Sequence, residues 1–142
     1  MFFSVLYLLF CSCKTSQQPG TAVQNAPVSA NPGSCTVEGR ILQVLKPANN
    51  DSGSVCFKYP CRAVVLINSV SACGSSVSYS LTSGDTVTIK FAYTLVNTEK
   101  AFPLMKAHFP GLKKGESFMA NVEHRMAVST SGEFIVYDYE PR

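Results

Sequence analysis

The chain has 142 residues, with 12 Lys and Arg against 9 Asp and Glu, and its formal net charge of +3 does not mark a nucleic-acid binder. Hydrophobic residues make up 46% and charged ones only 15%, which excludes a disordered polyelectrolyte and supplies the core of one domain. Nine Phe and six Tyr, together with many Ser and Thr, favour strands over helices.

Residues 2–10 read FFSVLYLLF and are apolar except for Ser4. A spanning helix needs about 20 such residues. The run fits the apolar core of a secretory signal, which takes roughly 7–15. No charge precedes Lys14 where a positive segment usually stands, so a start upstream of Met1 is compatible with the pattern. The run ends in Phe10-Cys11-Ser12-Cys13. This resembles the lipobox of bacterial lipoproteins, where a small residue precedes a cysteine that is lipidated and becomes N-terminal. Ser12 supplies the small residue before Cys13, Phe10 stands where Leu is usual, and Cys11 fits less well behind bulky Phe10. The resemblance implies that residues 1–13 are a signal, that Cys13 carries the lipid, and that the protein is exported. It would be anchored to the bacterial cell envelope, at the outer membrane on the periplasmic or the surface side. A plain signal peptide is the alternative.

Residues 14–33, KTSQQPGTAVQNAPVSANPG, hold one charge and little that could be buried. Such a segment cannot offset its ordering entropy and reads as a flexible tether, with an r.m.s. span of about 25 Å.

The folded domain is expected over 34–142. Val37, Ile41 and Leu45 define a first strand, with Gly39 marking a bulge or bend. The apolar run Ala63 to Ile67 predicts a second strand covered on both faces. Val87, Ile89, Phe91, Tyr93 and Leu95 alternate with polar neighbours and predict a long third strand. Pro103 is expected to open a short helix that Pro110-Gly111 closes. Phe118, Ala120, Val122, His124, Met126 and Val128 predict a fourth strand, and Phe134 to Tyr139 a fifth, stopped by Pro141. Turns are expected at residues 49–53, at Ser83-Gly84-Asp85 and at Ser131-Gly132.

Three strands, a short helix and two strands make an all-β domain in the order of the OB-fold, a five-stranded Greek-key barrel. With Cys35 opening the first strand, cysteines around the second and Gly-Leu-Lys-Lys-Gly-Glu (111–116) before the fourth, the chain also resembles the netrin-like variant of that fold. An Ig-like β-sandwich is the alternative. It needs about seven strands, more than can be found even if Val77 to Leu81 is counted.

Export makes disulfides the default for Cys35, Cys56, Cys61 and Cys73. A hairpin that sets Leu45 near Ala63 sets Cys35 opposite Cys73, unless a bulge at Gly39 shifts it by one. Cys56 and Cys61 then pair across Phe57-Lys58-Tyr59-Pro60. A Cys₄ zinc site competes, but only one short cysteine pair is present where structural zinc usually gathers two. No metal or cofactor is expected.

The sequence contains no H-E-x-x-H, G-x-S-x-G, P-loop or G-x-G-x-x-G. His124 reads as a core or rim histidine and His108 as exposed, so no catalytic residue is assigned and a non-enzymatic protein is expected. Lys90, Lys100, Lys106, Lys113 and Lys114, with Phe102 and Phe109, form a candidate ligand-binding face for an anionic partner. The expectation is a lipid-anchored envelope module that binds a protein or a glycan, and no nucleic acid. The netrin-like resemblance implies a protease inhibitor or regulator as the alternative, and a small-ligand-binding or enzymatic barrel is another.

Overall fold

Alternation through the first strand sends every second side chain inward, so Cys35, Val37 and Ile41 are fully buried. A computed structural model of the chain describes residues 31–47, 52–127 and 130–142. Cys13 and the lipobox-like segment lie outside the described residues, as do most of the tether, residues 49–51 of the first expected turn, and Val128.

Strand β1 spans Ser34–Val44, β2 Arg62–Cys73, β3 Thr86–Phe91, β4 Ser117–Ala127, β5 Thr130–Val136 and β6 Glu140–Pro141. Two single-turn helices, α1 (Val55–Lys58) and α2 (Thr98–Ala101), sit in the connections. The strand order is β1-β2-β3-β5-β4-β6, and a further β1–β4 pairing closes the first five into a barrel. β3 and β5 pair in parallel and every other pairing is antiparallel. This is the OB-like barrel that the element order predicts, with one short strand added. A single closed sheet replaces the two facing sheets that a sandwich requires. Inside it pack Val37, Ile41, Val65, Ile67, Ile89, Phe91, Phe118, Val122 and Val136.

Along β2, Ala63, Val65 and Ile67 are buried while Val64 and Leu66 remain partly exposed, so the apolar run is covered mainly on one face. The β1–β2 register shifts three times, once at the expected point between Glu38 and Gly39. Val44, not Leu45, faces Ala63, and the bulges bring Cys35 opposite Cys73. These two are disulfide-bonded with Cα atoms 4.0 Å apart, and Cys56 is bonded to Cys61 with Cα atoms 5.3 Å apart. All four sulfurs are therefore spent on each other, not on zinc. Cystines of this kind belong to proteins that mature in an oxidising compartment outside the cytoplasm.

Several boundaries differ from the sequence expectation. The third strand ends at Phe91, because the chain then turns over the barrel mouth. There the Leu95 amide donates to the Pro60 carbonyl at 2.8 Å. The helix begins earlier than expected. Asn97 caps it, with Oδ1 accepting from the Glu99 amide at 2.8 Å. Pro103 follows the helix instead of opening it, since the residue before a proline is kept out of the helical region and Phe102 has φ −139° and ψ 70°. Helix α1 was not foreseen, and Ser54 caps it through the Cys56 amide. Ser131-Gly132 lies inside β5, because β4 and β5 pair as far as Ala127 and Thr130. A Cβ on Gly132 would run into the His124 imidazole, so glycine there makes room for a ring. Met126 is exposed, at the register shift between Arg125 and Ala127 in β4. β5 ends at Val136, and Pro141 joins β6 opposite Phe118 instead of stopping a strand. Proline, lacking an N–H, is tolerated at such a sheet edge.

Candidate functional site

At one end of the barrel β1, β3 and β5 finish and β2 and β4 begin. The segment between β3 and β4 caps this mouth through a ladder of aromatic rings. Phe118 meets Phe91 at 5.5 Å between centroids, and Phe91 meets Tyr139 at 5.9 Å. Tyr139 stacks on Phe109 at 4.9 Å, Phe109 on Tyr93 at 5.9 Å, and Tyr93 meets Phe102 edge-on at 5.7 Å. The ladder runs from the core to half-exposed rings at the surface. Burial pushes the Tyr139 phenol above its ordinary pKa of 10.0, Glu116 adds to the rise, and the hydrogen bond from the Gly111 amide offsets part of it.

Two hollows flank the cap. The first, of about 610 Å³, lies between α1 and α2 and is lined by Phe57, Lys58, Tyr59, Lys100 and Phe102, with Ser52 and Ser54. The Lys58 ammonium stands 5.4 Å from the centre of the Tyr59 ring, a cation–π distance. The Cys56–Cys61 disulfide holds this wall, closing Phe57 to Pro60 into a short loop. The second hollow, of about 630 Å³, lies beside Lys113 and Lys114.

The seven residues expected to form one face are thus divided. Lys100 and Phe102 line the first hollow and Lys113 and Lys114 the second. Lys90 lies on the barrel wall, paired with Glu133 at 3.3 Å. Lys106 is exposed in the loop after α2, and Phe109 is a packing residue of the ring ladder. Phe57, Lys58 and Tyr59 were not singled out as binding residues. The available signal was an aromatic–basic–aromatic run enclosed by two cysteines.

At the opposite end, His124 is half-buried between Tyr79 (5.4 Å) and Phe134 (4.9 Å), the rim position expected of it. The Tyr79 hydroxyl donates to the Val122 carbonyl. Burial raises the Tyr79 pKa above 10.0 and Glu123 raises it further, while hydrogen bonding with the Cys35 backbone opposes the shift. His108 is exposed. Among the described residues no three His, Cys, Asp or Glu side chains gather as metal ligands, and no helix is long and apolar enough to cross a membrane.

Comparison with protein families, curated proteins and solved structures finds no match for this chain.

Proposed function

We propose that this chain is a non-enzymatic, lipid-anchored protein of the bacterial cell envelope, and that its barrel binds an acidic glycan through the hollow between α1 and α2. The observation that carries the reading is the lining of that hollow. Phe57, Tyr59 and Phe102 offer ring faces, Ser52 and Ser54 offer hydroxyls, and Lys58 and Lys100 offer positive charge. Flat apolar rings suit the C–H faces of a sugar, while the hydroxyls and ammoniums suit its oxygens and acidic groups. One wall is the loop between β1 and β2, a connection that OB-folds use for oligosaccharides. Fold alone licenses no ligand, so the residues carry the argument.

The address rests on three supports: the two disulfides, the lipobox resemblance at Cys13, and the tether composition that follows it. The netrin-like inhibitor reading fits less well, because its mechanism sets the N-terminal cysteine of the mature chain at the target's metal, whereas the tether-like residues 14–33 precede Cys35.

The test is photocrosslinking in intact envelopes. A photoreactive residue at Phe57 should capture glycan, and one at Ser83, in the turn at the far end, should not. Equal capture at both positions, or none at Phe57, rejects the site; capture of protein alone replaces glycan with a protein partner. Labelling with an alkyne fatty acid should mark the wild type and not Cys13→Ala; labelling of both removes the anchor assignment.

A further inference from the structure

The second hollow shares no lining residue with the first and supports a separate assignment. Its apolar walls are formed by Val44, Pro60, Leu95, Val96, Pro110 and Leu112, with the polar side chains of Gln43 and Asn97 beside them, and Lys113 and Lys114 stand at its lip. We propose that it binds a single-chain amphipathic carboxylate, with the acyl chain along the walls and the carboxylate on the two ammoniums.

The volume of about 630 Å³ lies within the 300–1,000 Å³ or so usual for small-molecule sites. Part of the polar backbone of the walls is already engaged. The Leu95 amide donates to the Pro60 carbonyl at 2.8 Å, and the Leu112 amide donates to the Leu95 carbonyl at 2.9 Å. The Pro60 carbonyl also accepts from the Thr94 hydroxyl at 3.0 Å, and the Val96 amide donates to Thr94 Oγ1 at 3.2 Å. Pro60 and Pro110 have no amide hydrogen to offer. A ligand lying here meets a largely apolar surface, and burying its alkyl chain is the main gain.

The lip has the opposite character. Lys113 and Lys114 are exposed, and among the described residues neither ammonium has a carboxylate within ion-pair distance. The neighbouring Glu116 carboxylate accepts from the Lys113 amide at 2.8 Å, which ties it to the turn backbone. A neutral apolar ligand would leave both cations unused, and a small hydrophilic anion would leave the walls unused. A carboxylate with an alkyl tail satisfies both. The groove is also preformed, because Gly111, at φ +90°, is fixed between the Leu95–Asn97 backbone and the Tyr139 hydroxyl.

The test is calorimetric titration of the full chain with decanoate, below micellar concentrations, and with decanol and acetate as controls. Decanoate should bind at one per chain, decanol about tenfold more weakly, corresponding to one lost charge-assisted interaction, and acetate not at all. Lys113→Gln/Lys114→Gln should abolish the preference for decanoate over decanol. Val96→Asn should weaken both ligands, with retained disulfides and an unchanged melting transition as the check on folding. No decanoate binding, equal affinity for decanoate and decanol, or binding that neither set of substitutions alters would each overturn the proposal. Because Phe57 and Phe102 lie elsewhere, their alanine variants should bind decanoate normally even where glycan capture fails.

Discussion

Tyr139 and Gly111, 28 residues apart, are joined by one hydrogen bond, with the Gly111 amide donating to the Tyr139 phenol at 3.0 Å. The same tyrosine stacks on Phe109 and meets Phe91 and Phe118 edge-on. It therefore ties the cap to the barrel both by a polar contact and by packing. Gly111 has φ +90°, and a Cβ there would lie 2.8 Å from the Leu95 carbonyl oxygen and 2.9 Å from the Asn97 amide nitrogen.

Gly111→Ala is therefore expected to cost about 1–3 kcal/mol through backbone strain. Tyr139→Phe should cost about 1–2 kcal/mol, because it leaves the Gly111 amide without its acceptor. Urea unfolding reads both as a lowered midpoint at constant slope. An unshifted midpoint in either variant would show that this tie does not hold the cap.

The half-buried Tyr79 phenol and the buried Tyr139 phenol both titrate above 10.0 in the folded protein. The folded state then keeps its protons at a pH where the unfolded chain has begun to lose them, so stability falls as pH rises. The contribution is complete below pH 10.0 and is lost as pH passes through the higher folded values. Melting temperature against pH should decline on the alkaline side, and less steeply in Tyr79→Phe and Tyr139→Phe. Equal slopes in wild type and variants would contradict this.

The two disulfides should differ in weight. Cys35–Cys73 closes a separation of 38 residues and Cys56–Cys61 one of 5. Chain entropy assigns about 4 kcal/mol to the first and about 2 kcal/mol to the second, before any strain is subtracted. Replacing each pair with serine and comparing urea midpoints checks the order, and non-reducing intact mass checks that the other bridge survives.

Gly39 faces inward midway along β1, and a Cβ there would lie 2.8 Å from Val65 Cγ1 and 3.0 Å from Phe118 Cζ. Gly39→Ala should cost about 1–3 kcal/mol by overpacking. Combined with Val65→Ala, the loss should be smaller than the sum of the two single losses, since the two changes share one space. Strict additivity in the double-mutant cycle would place the cost elsewhere.

The barrel and its cystines were legible because they depend on order and spacing. Alternation and one apolar run located the five main strands, and the Cys35–Cys73 pairing survived because the bulges between Thr36 and Gln43 leave a net shift of one residue, which offsets the start at Val44 instead of Leu45. What alternation could not show is whether an inward residue faces the sheet or the cap. Leu95 keeps the period of the third strand yet is buried under the cap, while Tyr93 joins the ring ladder. Asn97 outweighed Pro103 as a helix start because a side-chain cap satisfies an amide that proline merely lacks. The two hollows were the least legible. Val44, Pro60, Leu95 and Leu112 come from separate segments, and no local pattern announces that their bare faces converge.

The parallel pairing of β3 with β5 joins only Ile89–Phe91 to Phe134–Val136. Beside it, the half-exposed Lys90–Glu133 pair adds at most about 1 kcal/mol. Neither covalent bridge crosses this line, since one ties β1 to β2 and the other closes a loop. The barrel is thus a stapled cylinder with an unstapled seam. Thermal breathing should part it there first, and the Phe134 and Val136 amides, which point across it, should exchange with solvent ahead of those in the bridged β1–β2 wall.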